Sequence, residues 1–202
     1  MLSAAETFFV TKGYEKTTVN DILERGEIGK GTFYHYFQSK EEVMNAVIDR
    51  TIAVYVEAAR ALIKNEGLNA RQKFTAIVSG NMEGVPRRQT MIKELHQEGN
   101  AAFRQKSLTK TILALSPILA EVVKQGITEG VFDTPCPLET VELLLTASQF
   151  LFDRGIFSWT NDDILRRVEA FIHNGERLLG AEHGSFDHLK AAFFAAGEKT
   201  IE

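Results

Sequence analysis

The sequence predicts an all-α fold, in which an N-terminal three-helix domain with a helix-turn-helix motif precedes a larger helical domain. Apolar residues recur at helical spacing in one segment after another. Strand signals are poor throughout, and two short helices separated by a glycine-bracketed break stand near the N-terminus. With 202 residues, 44% of them hydrophobic, the chain can bury a core in each of two domains. We place these domains at residues 1–48 and 49–202.

The first helix of the motif is expected to begin at Thr17 or Thr18. Either hydroxyl can accept a hydrogen bond from an amide of the first turn, and Asp21 follows Thr18 at the spacing of a capping box. Gly26 and Gly29 bracket the break that follows. We expect glycine to supply the positive φ of a sharp turn there.

The second helix of the motif is predicted over about residues 30–36, with Ile28, Phe33 and Phe37 as buried anchors. Its outward face carries hydrogen-bond donors where a water-facing helix usually carries Glu, Lys and Gln: Lys30, Thr32, Tyr34 and His35. Such donors suit phosphate oxygens and base edges. Gly31 would let the backbone come close to a DNA strand. The pattern therefore indicates a DNA-binding helix.

Two stretches carry a family resemblance: residues 13–22, Gly-Tyr-Glu-Lys-Thr-Thr-Val-Asn-Asp-Ile, and residues 30–42, Lys-Gly-Thr-Phe-Tyr-His-Tyr-Phe-Gln-Ser-Lys-Glu-Glu. Together they resemble the DNA-binding domain of the TetR-type transcriptional repressors, over about the first 48 residues. The resemblance implies that the second helix of the motif enters the major groove. It implies DNA contacts from Thr18, Asn20, Lys30, Gly31, Thr32, Tyr34, His35 and Lys40.

The chain departs from that family in its turn and in its charge. The family usually has Ala-Gly-Val-Ser in the turn, whereas this chain has Gly-Glu-Ile-Gly, so a glycine replaces the N-cap serine and Glu27 brings a negative charge near the DNA side. The sequence begins just before the first helix, so the basic arm that many relatives carry is either missing or not included, and minor-groove contacts are not predicted. Residues 1–50 hold six Lys or Arg and eight Asp or Glu, a net charge of −2. We therefore expect modest non-specific affinity and specific contacts that rely on neutral donors.

The larger domain is predicted to be helical throughout. A long helix should begin after the N-cap Ser39 and end near Gly67. Further helices are predicted over residues 70–82, closed by Gly84 and Pro86, and over residues 90–98, 103–130, 138–157, 164–179 and 186–196. The helix over residues 103–130 could be interrupted at Pro117.

The last two long helices are predicted to form a dimer interface. The segment 138–157 is apolar on more than one face, so it needs a second surface to cover it. The residues expected in a four-helix interface with a second copy are Leu144, Leu151, Phe152, Ile164, Val168, Phe171, Ile172, Gly175 and Leu179. The alternative is an ordinary core within one chain. A two-fold dimer would present its recognition helices to palindromic half-sites of double-stranded DNA about 34 Å apart.

The resemblance also implies a cavity for a small-molecule effector in the larger domain, and repression as the mode of regulation. Candidate lining residues are Met82, Met91, His96, Phe103, Gln149, Phe150 and Trp159. For each of them, a place in the core is the alternative. A mostly apolar pocket would favour a hydrophobic or aromatic molecule.

Other classes of protein find little support. No apolar run reaches the ~20 residues of a membrane span, and no signal peptide is visible, so a cytoplasmic protein is expected. The single cysteine, Cys136, cannot form an internal disulfide. His183 and His188 flank a Gly-Ser-Phe-Asp segment, but their spacing fits no helical pair, and we interpret the segment as a surface linker.

No nucleophile motif and no phosphate loop occurs, so no enzyme, cofactor or metal is predicted. The remaining alternative is a helical interaction module that retains the helix-turn-helix shape without sequence-specific DNA binding.

Overall fold

The structure, a computed structural model, describes residues 1–82, 101–153 and 156–191. Within these ranges it is all-α and contains no β-strand, as the sequence predicts. Its helices are α1 (Leu2–Thr11), α2 (Val19–Gly26), α3 (Lys30–Tyr36), α4 (Lys40–Ile63), α5 (Ala70–Ser79), α6 (Ala101–Thr128), α7 (Pro137–Leu151) and α8 (Asn161–Leu179), followed by a short 3-10 helix, Asp187–Leu189. The helix predicted over residues 90–98 and the end of the one predicted over 186–196 lie outside the described residues.

Side-chain caps fix the starts of the N-terminal helices where the sequence predicts them. The Asp21 N–H donates to Thr18 Oγ1 over 3.1 Å, and the Thr18 N–H donates to the Asp21 carboxylate over 2.7 Å. This capping box begins α2. Ser39 Oγ accepts from the Glu42 N–H over 3.1 Å and begins α4.

The turn between α2 and α3 differs from the prediction. Gly26 is the last residue of α2, and Gly29 has a φ of −72°, so neither glycine supplies a positive φ. The left-handed conformation falls on Glu27, with a φ of 50°. The reason is positional, because a helix that ends at residue 26 puts its left-handed cap one residue later. Glu27 therefore adopts a conformation that usually favours glycine or asparagine.

Several helices of the larger domain end earlier than the sequence predicts. The long helix α4 ends at Ile63, and α7 ends at Leu151. Helix α5 ends at Ser79 because Gly80 takes up a left-handed cap with a φ of 69°. In contrast, α6 continues through Pro117 without interruption. The prediction of a break there was wrong, since packing on both sides of the proline holds the helix together.

Two apolar cores lie at the two ends of the molecule. The core of the N-terminal head is built from Ala5, Phe9, Ile22, Phe33, Val43, Met44, Val47, Ile48 and Ile52. The core of the body combines the second half of α4 with α5, α6, α7 and α8. Helices α4 and α6 belong to both cores. The division proposed near residue 48 therefore falls inside a continuous helix.

Helix α6 has the length and mean hydropathy of a membrane span, 28 residues and 1.2. Its apolar residues, however, serve the protein core. Leu115, Leu119, Val122 and Val123 are buried in the body, and Phe103 packs on the head. We interpret α6 as the central helix of the fold.

Candidate DNA-binding surface and effector cavity

The recognition helix α3 is held by its apolar side and presents its polar side to solvent. Phe33 is fully buried in the head core, and Ile28 and Phe37 pack against that core. The residues predicted to face outward are exposed: Lys30, Gly31, Thr32, Tyr34 and His35. A Cβ added at Gly31 would meet no atom of the protein within 4 Å. Packing within the chain therefore does not require this glycine, and the approach of an external backbone is the better explanation.

Tyr36 belongs to the same surface, and sequence reasoning missed it. It is 67% exposed, more than the 50% of Tyr34, and its ring lies edge-on to His35 at 4.9 Å. The sequence offered a signal, because Tyr36 stands four residues after Thr32 and so shares its helix face. A second phenol therefore joins the predicted donors.

The first turn of α2 exposes Thr18 and Asn20, the two residues expected there to contact DNA. Thr18 accepts the capping hydrogen bond from Asp21, and an accepting hydroxyl still has its own proton to donate. The positive end of the α2 dipole lies at the same place. Both side chains are therefore suited to a phosphate oxygen.

Lys40 does not occupy the role that the resemblance implies. Its Nζ donates to the carbonyl oxygens of Tyr14 and Thr17, each at 2.8 Å, and lies 3.3 Å from the carbonyl of Glu15. The ammonium also lies 4.3 Å from the centre of the Tyr14 ring. Three carbonyls use the three protons that an ammonium can donate. We therefore assign Lys40 a positioning role, in which it ties the start of α4 to the turn before α2.

Ion pairs offset much of the acidity of the head. Four of its carboxylates have cationic partners: Lys12–Asp21, Arg50–Glu6, Lys106–Glu41 and Lys110–Asp49. Two of those cations come from α6, outside the head. The hydrogen bond from Lys12, at 2.6 Å, lowers the pKa of Asp21 to about 2, with help from Thr18.

Helix α6 also joins the head to the body through Phe103. The ring of Phe103 lies 6.0 Å from that of Phe9, centre to centre, and packs on the head core. Phe103 is therefore not a cavity residue, and that expectation was wrong. The sequence could not show this, since an aromatic at helical spacing does not reveal which core it enters.

An apolar cavity of about 60 Å³ lies in the body between α5, α6, α7, α8 and the segment after α8. Its walls include Phe74, Leu119, Leu144, Ser148, Phe171 and Phe186. Ser148 supplies a hydroxyl, which donates to the carbonyl of Leu145 at 2.9 Å. This volume holds a few water molecules or a small apolar group, so a larger ligand must push the walls apart.

The other residues predicted to bind an effector either do not line this cavity or lie outside the described residues. Met82 is buried in the body core but does not line the cavity, and neither do Gln149 and the exposed Phe150. Trp159 stacks on Phe157, lies under Arg167 at 3.6 Å, and donates its indole N–H to the Leu151 carbonyl. Met91 and His96 lie outside the described residues.

Most of the residues predicted to form the dimer interface contact other residues of the same chain. Val168, Ile172, Gly175 and Leu179 are buried, Leu144 and Phe171 line the cavity, and Phe152 and Ile164 pack against the body core. Leu151 is half-buried. Within one chain these residues contribute to the core that was the alternative, because α7 and α8 turn their strongest stripes toward each other and the body. Five of them remain partly exposed: Leu144, Leu151, Phe152, Ile164 and Phe171.

A different set of apolar side chains faces outward on the same two helices. On α8 these are Leu165 and Leu178; on α7 they are Leu143 and Phe150, which we name the exposed stripe. Leu143 and Phe150 are 56% and 53% exposed and stand seven residues apart, on one face of α7. These side chains are uncovered in the single chain.

Two family models match the chain. Residues 1–47 match the model described as bacterial regulatory proteins, tetR family, and residues 77–174 match the tetracyclin repressor-like C-terminal domain. Two curated relatives match part of the chain. An uncharacterized HTH-type transcriptional regulator in the lacX 3' region of Lactococcus lactis subsp. lactis is 46% identical over 55 residues, 27% of this chain and 28% of that protein. The HTH-type transcriptional repressor NemR of Escherichia coli (strain K12) is 30% identical over 76 residues, 38% of each chain.

The chain thus spans about a third of the length of these two relatives. Among solved structures, the crystal structure of RolR in complex with its ligand resorcinol superposes with a TM-score of 0.59 at 16% identity. The superposition covers 100% of this chain and 93% of that one. This likeness extends the agreement in fold over head and body together.

Proposed function

The chain belongs to the TetR family of bacterial regulatory proteins, and from this premise we propose that it is a transcriptional repressor which a small, largely apolar ligand releases from its operator. The proposal rests on the polar side chains that α3 exposes. Its buried Phe33 fixes a helix whose exposed side offers an ammonium, a hydroxyl, an imidazole and two phenols. An interaction module that does not bind DNA would not need this set of donors.

The proposed contacts divide between phosphates and bases. Thr18, Asn20, Tyr34 and Tyr36 are suited to phosphate oxygens, and Lys30, Thr32 and His35 to the major groove. Gly31 permits close approach of the DNA backbone. Lys40 acts indirectly, since it fixes α4 against the turn that precedes α2. We place the protein in the cytoplasm, where operator DNA is accessible.

Dimerisation is proposed through the exposed stripe. Isolated heads that neutralise few phosphates should bind weakly, so two heads acting on palindromic half-sites would supply the affinity. The stripe lies on one face of α7, and a two-fold contact would bring Leu143 and Phe150 against their copies. Covering such side chains is favourable by about 25 cal/mol per Å² of apolar surface.

Effector control is proposed to run along α6. Leu119 lines the cavity and Phe103 packs on the head, sixteen residues apart in one continuous helix. At a rise of 1.5 Å per residue this distance is about 24 Å. A ligand that forces the cavity walls apart would shift α6 and hence the head. RolR, which shares the fold, binds the small aromatic resorcinol, and this supports a small aromatic or apolar effector here.

Fluorescence anisotropy with DNA from upstream of the protein's own gene tests the DNA-binding function. We expect saturable binding that falls with salt, and a loss of sequence preference in Lys30→Ala. Lys124→Ala removes an exposed lysine of the body and should leave binding unchanged. Failure of every upstream fragment to bind at low salt would contradict the proposal.

The effector is tested in the same assay with a panel of small aromatic and aliphatic compounds. An active compound should release the DNA from the parent protein. Leu144→Phe narrows the cavity and should reduce that release while DNA binding persists. Leu113→Phe, at an exposed position of α6, is the matched control. Equal responses in both variants would exclude this cavity as the effector site.

A further inference from the structure

Three side chains with metal-ligating atoms meet at the end of α8, away from the DNA-binding surface and outside the cavity. His173 and Glu176 stand one turn apart on α8, and His183 lies in the segment that follows. One ligand atom from each lies within 4.8 Å of the others. We propose that these three residues bind a divalent transition-metal ion, with Zn²⁺ as the type case. This site does not depend on the DNA-binding function.

The distance between two of the ligand atoms matches the separation expected around a metal ion. His183 Nδ1 lies 3.3 Å from Glu176 Oε2. Two ligands of a tetrahedral zinc ion, each about 2.1 Å from the metal, are separated by about 3.4 Å. The ion would replace the hydrogen bond between these two atoms, with the ring proton moving to Nε2 or, from a protonated ring, to solvent. His173 then needs a small rotation of its exposed ring.

Glu176 provides a fixed anchor for the site. Its carboxylate is buried, and Oε1 accepts the Phe186 N–H at 2.9 Å while Oε2 accepts the Gly184 N–H at 3.1 Å. A carboxylate oxygen has a second lone pair, so these bonds leave room for a metal ion. The two imidazoles, by contrast, are exposed, with 83% of the His183 side chain accessible. A buried anchor with two accessible ligands allows an ion to enter from solvent.

The local charge also favours a cation. The last turn of α8 presents carbonyl oxygens at the negative end of the helix dipole. The acids Glu169, Glu182 and Asp187 lie on the same helix or in the following segment. The cations close in sequence are Arg177, in the last turn of α8, and Lys190, whose ammonium is paired with Asp187 at 2.9 Å. Imidazole and carboxylate ligands suit zinc, nickel and copper, and affinity should follow the order Ni²⁺ < Cu²⁺ > Zn²⁺.

Occupation of the site would brace one wall of the effector cavity. Gly175, next to Glu176, lines that cavity. Phe186 also lines it, and its N–H donates to the Glu176 carboxylate. An ion bound to His183 and Glu176 would tie the segment after α8 to the helix on the side of the cavity.

The test measures Zn²⁺ affinity of the full chain by competition with a chromophoric chelator and by calorimetry. A Cys136→Ser background removes the exposed thiol, which could bind zinc by itself. We expect one ion per chain, and His173→Ala and His183→Ala should each weaken binding by about 10-fold or more. His188→Ala is the matched control, because His188 lies in the same segment but contacts Thr75 Oγ1 at 3.2 Å.

Circular dichroism should show that these exposed variants remain folded, which is why histidine rather than the anchoring Glu176 is replaced. If the Cys136→Ser protein does not bind Zn²⁺, the proposal is wrong. So would an affinity retained in the double variant His173→Ala/His183→Ala, or a loss in His188→Ala as large as in the other two.

Discussion

Lys12 and Lys40, two lysines of the head, direct their charges into the protein and not toward a ligand. Lys12 pairs with the capping carboxylate of α2, and Lys40 donates to the carbonyls that precede that helix. Together they hold the first turn of α2 from both sides. A family resemblance identifies such lysines by position, but it does not reveal where the charge points. Lys30 was predicted on the outward side of α3, and the structure exposes it there. Lys40 was expected to contact a phosphate, whereas its ammonium donates to backbone carbonyls.

The capping carboxylate gives the first testable expectation. In Lys12→Met, the pKa of Asp21 should rise from about 2 toward its ordinary 3.8, because the dominant hydrogen bond is lost while those from Thr18 remain. Carbon-detected NMR titration of the carboxyl group measures this change. A lowered pKa means that Asp21 stabilises the fold above about pH 4 and loses that contribution as the pH falls toward 2. Arg25→Met is the control, and an unchanged pKa in Lys12→Met would refute the assignment.

Helix starts were easier to predict from the sequence than helix ends. The capping pattern of Thr18 and Asp21 and the N-cap Ser39 are local, so the residues themselves identify them. Ends depend on which residue can take up a left-handed cap and on what packs beyond it. Gly80 ends α5 ahead of the predicted glycine, and Glu27 takes a cap that the sequence would assign to Gly26 or Gly29.

Glu27 is therefore a strained position in the motif. Glu27→Asn should raise the free energy of unfolding by up to about 1 kcal/mol, because asparagine tolerates the left-handed region better. The same change removes a negative charge near the DNA and should strengthen operator binding. Chemical denaturation and anisotropy measure the two effects. Glu24→Gln removes an exposed helical carboxylate without relieving the backbone, so an equal gain in stability there would contradict the explanation.

The architecture of the whole molecule was predicted correctly, but its contacts were not. Helical periodicity indicates which residues are apolar, and therefore an all-α head and body follow from the sequence. Periodicity cannot assign an apolar stripe to the same chain or to a partner. The stripe containing Val168, Ile172 and Leu179 enters the body core, while Leu143 and Phe150 remain outside. Periodicity alone therefore could not show which of the predicted interface and cavity residues pack within the chain and which face a partner or a ligand.

The exposed stripe leads to a prediction about dimer formation. Leu143→Glu and Phe150→Glu should each shift the protein from dimer to monomer, since a carboxylate would have to be desolvated in the contact. Light scattering coupled to size exclusion gives the mass. Leu113→Glu, at a leucine that is 66% exposed on α6, serves as the control. Dimers that persist in both stripe variants would place the interface elsewhere.

Coupling between head and body should depend on Phe103. We expect the parent to unfold in one calorimetric transition, because α4 and α6 belong to both cores. Phe103→Ala should cost about 1–2 kcal/mol, less than for a fully buried ring, and should separate the melting of head and body. Leu113→Ala is the matched change on the same helix. A single transition with an unchanged midpoint in Phe103→Ala would show that the coupling runs elsewhere.

The small volume of the cavity also governs how quickly an effector could act. An effector too large for the cavity as it stands would enter only after the helices around it have separated. The association rate should then level off at high ligand concentration, at the rate of that opening, instead of rising in proportion. Collective helix motions of this kind take microseconds to milliseconds. The response time of the protein would therefore be set by the packing of its own helices.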